Sequence, residues 1–293
     1  MLGIVGHHLS VGTGIRASEA ACIARSLGVK YMEISTIPCN VARRYAHETG
    51  AEYGHNNNAN RPQIDPAAET PEWIGIRNAV QEEGVLIGAV GGYNNFAVHP
   101  DDLHYEKERI LRTCRLARTL GSDIVRVFGG DLEKGITKAQ AIGQISAAFK
   151  ELVGYAEQTG VYLAVENHTR LVNDADTMLE IIDFVGSDRL KITLDYTNFY
   201  WLNGDKKRTE EMIKKVAPLT VHTHFKNARM ENGKCVFTTL GEGDLDIPFV
   251  LDELRSAGYN RPFYIACESE DFSDVESVRL GFARSIEYFS KIM

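Results

Sequence analysis

The stretch KAQAIGQISAAFKELVGYAEQTGVYLAVENHTR, residues 138–170, contains one complete unit of this chain. Its first part has the periodicity of an amphipathic helix and closes on Gly160. Glycine just past a helix accepts the left-handed backbone that ends it. The run that follows, YLAVE (162–166), is too short for a helix and reads as a buried parallel strand. It stops on a carboxylate, Glu166.

The unit recurs. Helical patterns closing on Gly28, Gly84, Gly121, Gly186 and Gly258 each lead into another short apolar run. With the N-terminal run, the strands are predicted at 2–6, 31–35, 86–90, 124–128, 162–166, 191–195, 220–225 and 263–267. The segment 274–293 reads as a closing helix. Strands alternating with helices in this way predict an α/β fold, a (β/α)8 TIM barrel, as one domain over residues 1–293. An open doubly wound sheet is the competing architecture. The first strand's turn, GHHLSVGTG, lacks the GxGxxG spacing of a dinucleotide site. Two segments break the rhythm, about 37–70 after the second strand and 227–244 after the seventh. Within the latter, VFTTLGEGD (236–244) is expected to form a hairpin or an extended loop. Loops after barrel strands wall the active face.

Composition narrows the function. The 293 residues carry 32 basic and 40 acidic side chains, a net charge of −8, which argues against holding nucleic acid phosphates. No apolar stretch approaches the ~20 residues of a membrane span. The start, MLGIVGHHLS, has no basic leader. Five cysteines without CxxC spacing read as reduced thiols, mostly core filler, so a cytoplasmic protein without membrane partners is expected.

Four strand-end residues carry chemistry: Glu166, Asp195, His224 and Glu268, separated by 29, 29 and 44 residues. On consecutive barrel strands they would face one mouth. Three carboxylates there would repel one another, and a cation removes that conflict. Oxygen-rich ligation with one imidazole suits Mn²⁺ first, with Mg²⁺ or Co²⁺ as alternatives, over a structural zinc.

These motifs, ENH (166–168), LDYTN (194–198), VHTHFKN (221–227) and CESE (267–270), resemble the xylose-isomerase-like TIM-barrel sugar isomerase/epimerase superfamily. The resemblance implies a divalent metal held by Glu166, Asp195, His224 and Glu268. It also implies two catalytic glutamates, Glu166 and Glu268, facing each other across a small carbohydrate substrate. It departs from the family's epimerases at Asn198, where many relatives carry a histidine. Asparagine hydrogen-bonds but does not titrate. Lys226 matches an HxHxK pattern and is expected to donate a proton to a leaving hydroxyl or steady an enolate, with a solvated loop lysine as the alternative. Arg229 lies near an arginine that some epimerases use, at a different spacing.

Further candidates come from strand ends. His168, Asn198, Arg126, His7 and Arg229 are expected to touch substrate, with His8 as a second wall residue. His168 has a plain loop role as its alternative. Arg126, inside a strand, needs a partner: a substrate hydroxyl, a site carboxylate or a structural pair. Glu33 orients a ligand if it points inward, with a buried ion pair as its alternative. The GEGD loop (241–244) makes a poor anion cradle.

The leading expectation is a metal-dependent isomerase or epimerase of a small keto sugar, working through proton abstraction and an enediolate. A lyase or dehydratase acting on a keto sugar, keto-inositol or oxidised glycoside shares the opening step, and Asn198 and Lys226 lean toward it. An endonuclease IV-like enzyme and a non-catalytic barrel fit less well. The sequence leaves homo-oligomerisation open.

Overall fold

The computed structural model describes residues 1–10, 14–36, 64–132, 134–270 and 272–293. Its strands are β1 (Leu2–Val5), β2 (Tyr31–Ser35), β3 (Leu86–Gly91), β4 (Ile124–Val127), β5 (Tyr162–Glu166), β6 (Leu190–Leu194), β7 (Thr220–Phe225), β8 (Asn227–Glu231), β9 (Lys234–Thr238) and β10 (Phe263–Ile265). Its helices are α1 (His7–Ser10), α2 (Ala17–Ser26), α3 (Thr70–Glu82), α4 (Leu103–Leu120), α5 (Lys138–Thr159), α6 (Ala175–Val185), α7 (Tyr196–Asn203), α8 (Lys206–Val216), α9 (Ile247–Ser256) and α10 (Val275–Ile292). Eight strands close a parallel barrel in the order β1-β10-β7-β6-β5-β4-β3-β2. The predicted (β/α)8 TIM barrel is the observed fold, and the expected strand positions match to within two residues.

The predicted helix stops have a local cause. Gly121 (φ 87°) and Gly160 (φ 71°) take the left-handed backbone, and the amides of Ser122 and Val161 reach back to Ala117 and Ala156. The main apolar core lies between the barrel and its helices, with Phe149, Phe225, Phe282 and Phe289 fully buried. Two smaller layers fill the barrel itself: Val5, Tyr264 and Ala266, and Ala89, Ile124 and Ala164. Tyr264 spans the interior. A Cβ on Gly88 would meet its hydroxyl at 1.9 Å, so only glycine leaves the ring room there.

Two register shifts aim the polar residues. Between β6 and β7, Ile192 pairs with Thr220 but Thr193 pairs with His222. The extra residue, Val221, packs with the inner layer, and the strand's alternation then turns both His222 and His224 inward. A similar shift sets Glu33 opposite Ala89, one residue past Gly88.

Three readings are corrected. The hairpin is β8–β9, earlier than VFTTLGEGD, because Asn232 (φ 51°) and Gly233 (φ 76°) form the Asn-Gly turn that closes it. Two helices, α7 and α8, separate β6 from β7 where no helix is predicted; α7 has no apolar stripe, whereas α8 buries Thr209, Met212, Ile213 and Val216 at helical spacing. Each is started by an aspartate side chain, Asp195 and Asp205, capping the first turn. Of the four cysteines among the described residues, only Cys114 and Cys267 are buried. The expected insertion 37–70 lies mostly outside the described residues. No described helix is long and apolar enough to cross a membrane.

Candidate functional site

The carboxyl ends of the barrel strands gather a charged cluster. Glu33 of β2 is fully buried; one oxygen accepts from Arg126 Nε (2.8 Å), and the other lies 2.7 Å from Nε2 of both His222 and His224. Arg126 of β4, 2% exposed, donates its other arm to Glu166 (2.7 Å). Its guanidinium lies over the rings of Tyr93 (5.1 Å) and Phe128 (4.9 Å). Gly91 makes this possible, since a Cβ there would meet Arg126 Nη2 at 2.7 Å. Arg126 therefore takes the site-carboxylate alternative. Burial opposes charge on Glu33 and Glu166, but Arg126 and His224 outweigh it and hold both carboxyls well below the usual range.

His224 links this pair to the mouth. Its Nδ1 faces Glu166 at 3.6 Å and Asp195 at 3.8 Å. Glu166, Asp195 and His224 offer donor atoms that all lie within 4.8 Å of one another. An imidazole whose far nitrogen binds a buried carboxylate is oriented as metal-binding histidines usually are. Burial works against the imidazolium, but Glu33 and Glu166 raise His224 to about 10. Burial, with Glu166 and Glu268, raises Asp195 to about 6 against the pull of Lys226. The His224 shift reflects the carboxylates around it, whereas the Asp195 shift comes first from burial and then from Glu166 and Glu268. Four carboxylates (Glu33, Glu166, Asp195, Glu268) face two permanent cations, Arg126 and Lys226. A hard divalent cation fits that donor set and that residual charge. Glu33, His222 and His224 also lie close enough together for a metal, but Arg126 already neutralises that group.

The fourth expected ligand stands apart. Glu268 is held by Lys226 Nζ at 2.6 Å and does not join the three-donor cluster. The same ammonium lies 3.0 Å from Asp195, so it occupies the space between the two carboxylates. Lys226 is not a solvated loop lysine: it is 2% exposed, its Nζ lies 4.6 Å over the Phe237 ring, and its carbonyl accepts from Tyr196 and Thr197. Burial opposes its charge, yet Asp195 and Glu268 hold its pKa well above the ordinary value.

A cavity of about 470 Å³ opens over this floor. His7, Arg126, His168 and Asn198, all expected to face substrate, line it together with Glu166, His224 and Glu268. Asn198 Nδ2 approaches Glu166 at 3.4 Å, and His7 Nε2 sits 2.9 Å from the Tyr93 hydroxyl. Arg229 is the correction. The alternation of β8 turns it to solvent, where it pairs with Glu231 away from the cavity.

Two residues matter more than their sequence context indicates. Asn167, buried behind Glu166, brackets Asp195: its amide donates to the Asp195 carbonyl (2.7 Å) and accepts from the Asp195 N–H (2.8 Å). Its position between two expected site residues, in ENH, was the available signal. His8 receives the Cys267 N–H on Nδ1 (3.0 Å), so the neutral ring carries its proton on Nε2, available to the cavity it lines. Burial lowers its pKa to about 4, which keeps it neutral. No sequence motif marks that tautomer.

The family model of the xylose isomerase-like TIM barrel matches residues 23–292. No curated protein matches the chain in sequence. Among solved structures, an IolI protein with bound zinc has a TM-score of 0.75 at 17% identity, covering 100% of this chain and 99% of its own. D-psicose 3-epimerase, solved in the presence of D-fructose, has a TM-score of 0.69 at 16% identity over 99% and 97%. A xylose isomerase-like TIM barrel protein from Mycobacterium smegmatis, in complex with magnesium, has a TM-score of 0.70 at 16% identity over 94% and 87%. At these identities the structures share the fold, while the family match spans nearly the whole chain. The chain belongs to the xylose isomerase-like TIM barrel family.

Proposed function

We propose that this protein is a divalent-metal-dependent isomerase or epimerase of a small keto sugar. The observation that carries the reading is the cluster of Glu166, Asp195 and His224 donors, of which Glu166 and His224 line a cavity of about 470 Å³ and Asp195 is buried behind them. These three residues would hold the cation, with Mn²⁺ preferred and Mg²⁺ or Co²⁺ accepted. The cation, when bound, acts as a Lewis acid on the substrate's carbonyl and neighbouring hydroxyl. Zinc and magnesium in the related structures belong to those proteins and support the presence of a metal here without naming which.

The chain's own groups divide the remaining work. Glu166 is pinned by Arg126 and Asn198 and kept ionised, which suits a ligand more than a group that must pick up and return protons. Glu268 is partly exposed at the cavity and lies outside the three-donor cluster, so it is the carboxylate left to accept the proton from the carbon beside the carbonyl. Lys226 steadies the charge on Glu268 and supplies a donor next to it. Asn198 and the Nε2–H of His8 orient substrate oxygens.

Incubation with D-fructose in D₂O and Mn²⁺ tests this reading. Deuterium should enter the carbon beside the carbonyl, an isomeric sugar should appear, and chelation should abolish both. Absence of exchange from a panel of ketoses sinks it. The buried Lys226 favours a second reading, in which the same proton removal is followed by loss of a β-oxygen substituent protonated by Lys226. An absorbing enone, without an isomeric sugar, would identify that lyase.

A further inference from the structure

We propose that the outer half of this cavity is a subsite for a second ring, so the sugar bound here carries a glycosyl or aryl substituent. The inference rests on the keto-sugar reading and adds the class of sugar. Size is the first argument. The cavity measures about 470 Å³, whereas about 150 Å³ accommodates a benzene ring. On that scale it holds roughly three ring-equivalents, and a free keto-hexose fills about two of them.

The lining is the second argument. Beside its charged floor and polar residues such as Asn94, Asp131 and Thr169, the cavity is lined by aromatic side chains. Trp201 of α7, Phe237 of β9 and Phe272 beyond β10 come from three separate elements and line the same space. None of the three is fully buried. The contrast with Trp73 is informative: that indole is packed into the core at 7% exposure, whereas Trp201 stays open to the cavity. Leaving three large apolar faces wet forgoes burial that each ring would otherwise gain. A ring stacked between them recovers it.

Position is the third argument. Trp201 lies three residues after Asn198 on α7, so the indole and the amide share a helix face. Phe237 sits beneath the Lys226 ammonium (4.6 Å), and Phe272 packs against the His8 ring (5.3 Å). The aromatic faces therefore begin where the acid–base groups end. Among the described residues lining the cavity, the one Lys or Arg is Arg126; its Nε and Nη1 are bonded to Glu33 and Glu166, and its Nη2 is buried without a hydrogen-bond partner.

The test is calorimetric titration of the Mn²⁺-loaded protein with phenyl β-D-glucopyranoside, D-glucose, D-fructose and phenol. The glycoside should bind at least tenfold tighter than either free hexose and than phenol. In Trp201→Ala and in Phe237→Ala, that preference over D-glucose should fall below about threefold, with the circular dichroism spectrum unchanged. Equal affinities for glycoside and glucose overturn the proposal, as does a preference that survives both substitutions. Phenol binding as tightly as the glycoside also overturns it, because the site would then read an apolar body and no sugar. Glycoside preference with no deuterium exchange on any ketose keeps the ring subsite and removes the keto-sugar chemistry instead.

Discussion

Lys226 and Arg126 are both long cationic side chains folded into the barrel mouth, each bridging two carboxylates. Their removal has different consequences. Lys226→Met leaves Asp195 and Glu268 without their shared counter-charge; deuterium exchange should fall by roughly 10²–10⁴ in kcat. Arg126→Met strands two buried carboxylates and should cost about 3–5 kcal/mol in urea unfolding. The double variant Glu33→Gln/Arg126→Met should cost less than the two single changes together, because Glu33 then has no charge to leave unpaired. His8 makes a pH prediction. Its folded pKa of about 4 lies below its unfolded value of about 6.5. The stability it contributes is fully present above pH 6.5 and is lost as pH falls toward 4, with a slope of up to ~1.4 kcal/mol per pH unit. His7, His168 and His222 shift in the same direction, each mainly through burial. His8→Asn keeps an acceptor for the Cys267 N–H but cannot titrate, so unfolding free energy measured from pH 7 to 4 should fall less steeply than in the wild type.

At the scale of elements, the loop after β5 and the start of α7 build the site together. Asn167 locks the Asp195 peptide from both sides, and Asp195 in turn caps α7 with the oxygen that does not face His224. Tyr196 and Thr197 in the first turn of α7 then hold the Lys226 carbonyl. Asn167→Ala leaves a buried N–H and C=O unpaired, each costing about 1–3 kcal/mol. It should lower stability by that order and weaken Mn²⁺ binding at the same time, read by calorimetry. A purely structural loop asparagine would lower stability alone. The elements themselves were largely legible, because strand length, β-branching and closing glycines act locally. Helix α7 was not, because YTNFYWLN has no apolar stripe. Helix α8 carried a local signal within its many charges: Thr209, Met212, Ile213 and Val216 recur at helical spacing behind the Asp205 cap. The β8–β9 hairpin carried a local signal, the Asn232-Gly233 pair, outweighed in the reading by the glycines of GEGD.

At the scale of the whole molecule, the barrel collects onto one face charges that lie far apart in the chain. The separation between Glu33 and His224 is 191 residues, yet they meet at 2.7 Å. A cation bound by the folded state alone should stabilise it by mass action, about 2.7 kcal/mol at one hundred times its dissociation constant. Thermal unfolding with and without excess Mn²⁺ should show that gain, and Asp195→Asn should remove most of it. By itself, the sequence determined the alternation of strands and helices, and therefore the barrel, along with the strand-end positions of Glu166, Asp195, His224 and Glu268. Those depend on neighbouring residues, on cap chemistry and on period. Only the tertiary structure decided that Glu33 points inward, that Lys226 stands between Asp195 and Glu268, and that Arg229 faces solvent. The direction of a strand side chain depends on its register with neighbouring strands, which an extra residue such as Val221 resets, and the partner of a buried charge is whichever opposite charge the closed barrel brings within a few ångströms.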